Sequence, residues 1–484
     1  MKSVQRFFGA HPAPGAILTA RSIRALFDWI MLLLAFSLVL AGCAGEVVTA
    51  PASTPNPTAT IEAPTAPSPK PKPMPTIPTT LTAAERAAIF DAAWQTVNDK
   101  YFDPTFGGKD WQAIGDEYRQ KLATVQDDHT FWLQVLNPML FELGVSHIFA
   151  LPGQLANQMQ PDVFVSGSAG MDVRLLDGEA VITSVAEGSP AGQAGLQPGF
   201  VMTAVDGRTL EDFIAADLQT PPENERHRRG TAISGMRTAL LGDVGAKVVV
   251  EYLDADDQPQ RAVLQLAPRD GLSCDQLDPA LPSACAEIEV KRLANGTGYL
   301  RFSGFLKPVL EDVLSAIDDL HDAPALIIDL RGNPGGEFPV RKAIASKLVG
   351  KPELFMRYQR RDGLEEVYLD PVPDPYTGEV VILVDELSAS SSEEFTGSLQ
   401  ALNRAMVIGS QTPGSCLVMN IEPLPKGAIL AYPYGQSQTP DGRILENNGV
   451  VPDVEVALDR QLLLQGIDAQ LQAAIEYASE KIGK

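Results

Sequence analysis

A run of serine residues separates a predicted strand from a predicted helix in the second half of the chain. Val380–Val384 is continuously apolar, as expected of a buried strand, and Ser392–Leu402 has a helical pattern. A serine between the two would lie at the helix N-terminus, where backbone amides favour a developing negative charge. This arrangement suits a nucleophilic serine, although a serine-rich N-cap without chemistry is the alternative interpretation.

A second predicted strand end lies in the segment Ile328-Asp-Leu-Arg-Gly-Asn-Pro-Gly-Gly336. Ala325–Leu330 is apolar, and the glycines after it allow backbone amides to approach a ligand closely. Two such strand ends side by side would supply a serine for attack and glycine amides for an oxyanion hole. The combination indicates an acyl-transfer site.

The parts of the chain that would position these residues differ in their helix and strand patterns. We therefore expect a multidomain α/β fold. Residues 81–155 are predicted to form a small helical domain, because Thr82-Ala-Ala-Glu85 is a capping-box sequence before a helical pattern. Residues 286–455 alternate strand and helix patterns and are expected to form an α/β core. Residues 456–484 are predicted to form an amphipathic C-terminal helix.

Residues 160–268 hold short β-rich runs between glycine, proline and aspartate turns. The runs are Ala180–Val185, Val201–Val205, Lys247–Leu253 and Arg261–Leu266. This region resembles the PDZ domain of bacterial proteases, through a short helix pattern that precedes the turn Leu196-Gln-Pro-Gly-Phe200. The resemblance implies that the loop Gly170-Met171-Asp172-Val173 offers backbone amides to a peptide's C-terminal carboxylate. A β-rich spacer is the alternative.

Together these segments resemble the C-terminal processing (tail-specific) protease family, which includes the core of tricorn protease. The resemblance covers nearly everything after residue 80, including Tyr299-Leu-Arg-Phe302 and the Ser-Ala-Ser-x-Ser-Glu segment. It implies a crotonase-like serine protease core with Ser390 as the nucleophile. The implied oxyanion donors are the amides of Ser391 and of Gly335 or Gly336, and no metal or organic cofactor is implied.

The general base departs from the pattern of the processing proteases. Those enzymes pair the serine with a lysine in a Gly-Lys turn, but the position of that lysine falls on Ser415. The nearest lysine, Lys426, lies beyond a further predicted strand. A hydroxyl group cannot replace the amine as a general base, so the site needs another one.

His147 is the base that the tricorn branch of the family implies. That branch uses a Ser-His pair completed by a glutamate in a Glu-Asn-x-Gly-Val-x-Pro-Asp segment. This chain contains Ser146-His147 and Glu446-Asn-Asn-Gly-Val-Val-Pro-Asp453. The resemblance implies that Glu446, directly or through Ser146, orients the imidazole. A structural histidine is the alternative interpretation.

These residues predict a serine endopeptidase that cleaves peptides or proteins through an acyl-enzyme and captures some of them through free C-termini. Two alternatives remain. One is an inactive family member whose PDZ domain only captures peptide tails. The other is a protein that binds apolar ligands, because the same fold occurs in the retinoid-binding modules of vertebrate eyes.

The composition restricts the partners of the chain. Its 484 residues are 45% hydrophobic, which is too apolar for a chain that is disordered throughout. The formal net charge is −23, so nucleic acid would repel the protein. The one dense basic stretch, Glu225–Arg229, is short and contains an acid. We therefore expect no nucleic-acid partner.

The N-terminus has the pattern of an export signal. Basic residues precede an apolar run from Trp29 to Leu40, and the run ends in Leu-Ala-Gly-Cys43, which resembles a bacterial lipoprotein cleavage site. We predict that residues 1–43 form a signal peptide with a lipidated Cys43 and that the proline-rich residues 44–80 form a tether. The protein is then extracytoplasmic and lipid-anchored to a membrane of the cell envelope. An uncleaved anchor helix is the alternative.

Three cysteines follow Cys43. Cys274 and Cys285 lie eleven residues apart and could close a small disulfide loop in an oxidising compartment. Neither has a histidine or cysteine at metal-ligand spacing, so no metal site is expected. Cys416 is left over, as a buried or free thiol.

Overall fold

The computed structural model describes residues 60–62, 81–153, 166–215, 225–269, 271–275 and 284–483. The predicted signal peptide with Cys43 lies outside these residues, as does the predicted tether apart from residues 60–62. In this part of the chain, none of the helices combines the length and the apolar character that a membrane span requires.

Helices and strands alternate through most of the described residues. The α-helices are Ala83–Lys100, Trp111–Leu122, Asp128–Thr130, Asn137–Phe141, Pro190–Gln193, Leu210–Ala215, Glu225–Thr238, Lys307–Asp319, Phe338–Val349, Ser391–Ala401, Arg460–Leu464 and Ala469–Ile482. Phe131–Leu136 is π-helical. The strands are Thr60–Glu62, Phe149–Leu151, Gly167–Ser168, Met171–Leu176, Glu179–Val185, Val201–Val205, Leu241–Gly242, Lys247–Leu253, Pro259–Gln265, Ala267–Pro268, Leu272–Asp275, Ala284–Arg292, Gly298–Phe302, Ala325–Asp329, Leu354–Arg360, Gly363–Tyr368, Glu379–Val384, Ala405–Gly409, Leu417–Pro423, Ile429–Gln438 and Val454–Glu455.

A seven-stranded sheet forms the centre of the second half of the chain. Its order is Leu272–Asp275, Ala284–Arg292, Gly298–Phe302, Ala325–Asp329, Glu379–Val384, Ala405–Gly409 and Val454–Glu455. The strands from Gly298–Phe302 onward are parallel. Side chains of both faces are buried, Ile328 against the helices of one side and Ile327 against Ala469–Ile482 on the other. Burial on both faces explains the continuous apolar runs, and the strands predicted from them are confirmed.

A six-stranded antiparallel sheet occupies the region before it. Its order is Thr60–Glu62, Pro259–Gln265, Lys247–Leu253, Val201–Val205, Glu179–Val185 and Met171–Leu176, so each predicted β-rich run contributes a strand. The sequence predicts an extended tether at residues 60–62, whereas the structure pairs them with the edge strand, with Ile61 opposite Ala262. An unpaired edge strand offers free amides and carbonyls to any extended segment nearby, which explains the difference.

A five-stranded sheet connects the helices of residues 81–141 to the second half of the chain. Four strands have the order Gly363–Tyr368, Leu354–Arg360, Ile429–Gln438 and Leu417–Pro423, and Phe149–Leu151 also pairs with Ile429–Gln438. The helices begin at the predicted capping box, in which the Thr82 amide donates to Glu85 Oε2 at 2.7 Å. Their apolar side chains share a core with Leu417, Leu430 and Tyr432 of this sheet.

The C-terminal segment contains two helices where the sequence predicts one. Arg460–Leu464 ends before Gly466, whose φ of 77° does not continue a helix. Ala469–Ile482 then starts with Asp468 as its N-cap. The break lets the second helix cover the seven-stranded sheet.

A buried ion network connects the six-stranded sheet to the end of strand Glu379–Val384. The Arg174 guanidinium contacts Asp172 and Asp385. Asp172 also accepts from Arg237 at 2.7 Å and from Arg301 at 2.8 Å. Burial alone would raise the pKa of Asp385, but the charge of Arg174 lowers it, so the carboxyl is held ionised.

This network generates a stability prediction. We expect Arg174→Met to lower the free energy of unfolding by about 3–5 kcal/mol, because two buried carboxylates lose their shared cation. The matched control is Arg292→Met, since Arg292 pairs with Asp322 at the surface and such pairs contribute about 0–1 kcal/mol. Denaturant titrations of both variants measure the difference, and equal losses would contradict the prediction.

Candidate active site

The helix Ser391–Ala401 begins directly after Ser390 and is called the nucleophile helix here because the resemblance implies Ser390 as the nucleophile. Ser390 has a φ of 53° and a ψ of −115°, a strained conformation for a residue with a side chain. Its amide is held from two sides, because it donates to Ser415 O at 2.9 Å and to Glu393 Oε2 at 3.1 Å. The structure therefore places Ser390 at a sharp, tightly held turn between a buried strand and a helix, where strained residues of active sites are often found.

The glycine turn (Gly332–Gly336) lies directly against Ser390. The Ser392 hydroxyl donates to Asn333 O at 2.9 Å, which ties the turn to the nucleophile helix. A Cβ added to Gly335 would lie 2.9 Å from Ser390 Cβ and 2.8 Å from the Ser391 nitrogen. Only glycine allows the backbone to come this close.

The structure distinguishes the two glycines that the sequence leaves open as oxyanion donors. The Gly335 amide donates to Asn333 Oδ1 at 2.9 Å. The amides of Gly336 and Ser391 make no hydrogen bond within the described residues. Phe305 N donates to Gly335 O at 2.8 Å, and because the C=O and N–H of a trans peptide point in opposite directions, the Gly336 N–H points away from Phe305.

His147, Ser146 and Glu446 form a hydrogen-bonded chain. His147 Nδ1 lies 2.7 Å from Ser146 Oγ, which donates to Glu446 Oε2 at 2.9 Å. The Ser146 amide donates to the other carboxylate oxygen at 2.7 Å. Burial raises the pKa of Glu446, and the hydrogen bonds from the amides of Ser146 and Cys416 oppose that shift. The structure therefore brings together three of the predicted residues across 300 positions of sequence.

Glu393 organises the backbone around Ser390, and sequence reasoning missed it. Its carboxylate accepts from Thr412 Oγ1 at 2.6 Å and from the amides of Gly414 and Ser415 at 2.7 and 2.9 Å, besides the Ser390 amide. Burial raises the pKa of Glu393 to about 7, although these hydrogen bonds lower it. The Ser390-x-x-Glu393 spacing of a capping box was the signal that could have identified it.

Lys426 lies away from this site. Its ammonium group pairs with Glu85 at 2.6 Å and is half exposed. Ser415, at the position of the family's lysine, accepts the Ser390 amide through its backbone carbonyl. No lysine takes part in the described contacts of Ser390, in agreement with the serine at position 415, where the processing proteases have their lysine.

One cavity of about 2170 Å³ contains Ser390 and His147. Ser391, Gly335 and Gly336 also line it. The nucleophile, the imidazole and the oxyanion donors implied by the resemblance therefore face one space large enough for an extended peptide.

The segment Gly170-Met171-Asp172-Val173 lies at the start of an edge strand. The Gly170 amide donates to Ser168 Oγ at 2.9 Å, and the Val173 amide donates to the Asp172 carboxylate at 3.0 Å. The amides of Gly170 and Val173 therefore already have acceptors. Gly170, Met171 and Asp172 line the same cavity as Ser390.

The cysteines separate into a disulfide and a buried thiol. Cys274 and Cys285 are bonded and lie opposite each other on neighbouring antiparallel strands. Cys416 is buried, which raises the pKa of its thiol well above the ordinary value and disfavours the nucleophilic thiolate. Within the described parts of the chain, no group of histidine, cysteine, aspartate and glutamate side chains has the arrangement of a metal site.

Two family models match the chain. Residues 296–456 match Peptidase family S41, and residues 82–140 match the Tricorn protease C1 domain. The carboxyl-terminal-processing protease of Synechocystis sp. is 27% identical over 409 residues, which cover 82% of this chain and 88% of that protein. The chloroplastic C-terminal processing peptidase of Tetradesmus obliquus is 26% identical over 400 residues, which cover 78% and 79%.

Solved structures of the same fold are also similar. The photosystem II D1 C-terminal processing protease superposes with a TM-score of 0.52 at 22% identity, over 81% of this chain and 99% of that chain. Mature CPAF superposes with a TM-score of 0.54 at 14% identity, over 82% and 97%. The matched models show that the chain contains a Peptidase family S41 domain and a Tricorn protease C1 domain, and with its relatives they identify it as a serine-type peptidase similar to the C-terminal processing proteases.

Proposed function

We propose that this chain is an extracytoplasmic serine endopeptidase that cleaves peptide bonds through an acyl-enzyme on Ser390. His147 accepts the Ser390 proton as the hydroxyl attacks the carbonyl carbon of the substrate. Because Ser146 Oγ donates its only hydrogen to Glu446, it accepts a hydrogen bond from Nδ1–H of His147. Nδ1 is then protonated, and Nε2 is the nitrogen that acts as the base.

The tetrahedral intermediate needs donors for its oxyanion. The amides of Gly336 and Ser391 supply them in this proposal, and the positive end of the nucleophile helix adds to the stabilisation. His147 next protonates the leaving amine, and water attacks the acyl-enzyme to release the second product. The Glu446 carboxylate stabilises the imidazolium that forms in each step.

The observation that carries this proposal is the chain from His147 through Ser146 to Glu446, in the cavity that also contains Ser390. A histidine with a structural role would have no need of an orienting carboxylate at a cavity that also contains the strained Ser390. The same arrangement argues against an inactive protein that only binds peptides or apolar ligands.

We propose a PDZ-type role for residues 160–268 beside a crotonase-like core. Met171–Leu176 is the terminal strand of its sheet, so an extended peptide could add to it by strand pairing. The guanidinium groups of Arg174, Arg237 and Arg301 all pair with Asp172, at the start of this strand. In this proposal these local cations and the backbone amides of the segment favour the C-terminal carboxylate of a peptide over a neutral end.

We also propose that Cys43 carries a lipid that anchors the enzyme to a membrane. The Leu-Ala-Gly-Cys ending of a short apolar run supports the anchor. The disulfide between Cys274 and Cys285 fits an oxidising compartment outside the cytoplasm.

The catalytic roles predict a pattern of variants. Ser390→Ala and His147→Ala should each lower kcat/KM by on the order of 10⁴-fold or more, because the members of such a group act as a unit. Glu446→Gln should also be severe. Wild-type activity should fall as the pH drops below about 6.5, where an ordinary histidine becomes protonated and cannot accept a proton.

Lys426→Ala is the control, because its ammonium group is bound to Glu85 away from the cavity. Peptide hydrolysis and labelling by a fluorophosphonate should both be unchanged in it. An inactive Lys426→Ala enzyme with an active His147→Ala enzyme would overturn the assignment of the base. A wild-type protein that neither cleaves peptides nor reacts at Ser390 would favour a binding protein.

The PDZ-type role predicts a preference for free C-termini. In the Ser390→Ala background, which prevents cleavage, a peptide with a C-terminal carboxylate should bind more tightly than its amidated form. Calorimetric titration of both peptides measures the difference. Equal affinities would remove carboxylate capture from the proposal.

The anchor predicts a shortened and modified N-terminus. Mass spectrometry of protein isolated from its own membranes should find residues 1–42 absent and a lipid on Cys43. An intact Met1, or an unmodified Cys43, would contradict this prediction.

A further inference from the structure

We propose that Arg341 is a positioning residue for the oxyanion hole and acts through the Ser391 hydroxyl on Gly336. Arg341 Nη1 donates to Ser391 Oγ at 2.7 Å, and Ser391 Oγ donates to Gly336 O at 2.7 Å. This chain of contacts, the arginine relay (Arg341, Ser391 and Gly336), ends on one of the two residues whose amides have no acceptor. The inference rests on the proposed function of Ser390.

The direction of the relay follows from the hydrogen-bonding capacity of its members. A guanidinium group can only donate, whereas a serine hydroxyl has a single hydrogen. When Arg341 occupies a lone pair of Ser391 Oγ, the hydroxyl hydrogen is left for the Gly336 carbonyl. Arg341 therefore determines which way this hydroxyl points.

Gly336 needs such support because of its conformation. Its φ is 142°, and a Cβ at this position would lie 2.4 Å from Phe305 O, so this residue has no side chain of its own to restrict its backbone. Phe305 holds the peptide groups on either side, since its amide donates to Gly335 O and its carbonyl accepts from Glu337 N. The Gly336 carbonyl itself is held by Ser391. Fixing it fixes the backbone torsion next to the amide that would bind the oxyanion.

Arg341 is buried and fixed in place, as a positioning residue must be. It is 3% exposed, forms an ion pair with Glu394, and donates from Nη2 to Tyr358 OH at 2.6 Å. Its Nε is buried without an acceptor among the described residues. A buried donor without an acceptor lowers stability, so the position of this guanidinium is maintained despite that cost.

Ser391→Ala tests the relay with the ion pair left intact. We expect kcat to fall by between about 10- and 100-fold with little change in KM, because the lost positioning acts on the oxyanion and not on the bound peptide. The inhibition constant of a peptide trifluoromethyl ketone, which forms an ionised hemiketal on the serine, should rise by a similar factor. Peptide affinity in the Ser390→Ala background should be unaffected by the added Ser391→Ala change.

Arg341→Met should reproduce the loss in kcat, and the double variant with Ser391→Ala should be no worse than the poorer single variant, because both changes break one chain of contacts. Ser398→Ala is the matched control, since it removes a buried hydroxyl of the same helix that contacts Met356. It should keep the wild-type kcat and the wild-type inhibition constant.

The outcomes separate this inference from the proposed function. If the wild-type protein cleaves peptides and reacts at Ser390, but Ser391→Ala keeps its kcat and its inhibition constant, the relay is overturned and the proposed function stands. Losses that appear only in KM, or equally in Ser398→Ala, would also overturn it. A wild-type protein that is inactive and unreactive at Ser390 would contradict the proposed function instead.

Discussion

Two neighbouring parallel strands, Ala325–Asp329 and Glu379–Val384, are the constraint on which the site depends. Their register sets Asp329 opposite Leu383, so both strands end at the same level of the sheet. The chain that leaves the first becomes the glycine turn, and the chain that leaves the second becomes the turn at Ser390. Buried apolar side chains pack closely on both faces, so a shift of this register would require both faces to repack. The fold therefore brings Ser390 and the glycine turn together.

The histidine reaches the site by a different route. Phe149–Leu151 pairs with Ile429–Gln438, the strand that also pairs with Leu417–Pro423. Because His147 lies two residues before the first strand and Cys416 one residue before the last, this sheet brings both to the same side of the site. Glu446 then joins them, since its carboxylate accepts from the amides of Ser146 and Cys416. The five-stranded sheet thus connects the imidazole to the turn that holds Ser390.

Three buried carboxylates surround this turn, and each has a different environment. Glu446 accepts from the histidine side, Glu393 accepts from the amides that hold Ser390, and Glu394 pairs with Arg341. Burial raises the pKa of all three, and only Glu394 has a cationic partner among its described contacts. Hydrogen-bond donors offset the cost of burying Glu446 and Glu393. Because most of these donors are backbone amides, the same contacts hold the backbone of the site in place.

The sequence alone determined the buried strands and predicted the residue types of the candidate site. Continuous apolar runs marked those strands, because strands covered on both faces leave no polar positions. Ser390, His147 and Glu446 were predicted by resemblance, and Ser415 occupies the position at which the processing proteases have their lysine. Local pattern did not reveal the single strand at residues 60–62, since an edge strand pairs with whatever extended segment is near.

Only the tertiary structure decided which groups have partners. The Gly335 amide donates to Asn333, whereas the Gly336 amide has no acceptor within the described residues. Two adjacent glycines look alike in the sequence, so only the structure distinguishes them. It also revealed Glu393 and Arg341, whose hydrogen bonds reach Ser415, 22 residues away, and Ser391, 50 residues away along the chain. A hydrogen bond needs its two atoms within about 3 Å of each other. The folded core decides which distant atoms meet that condition, and sequence spacing alone does not.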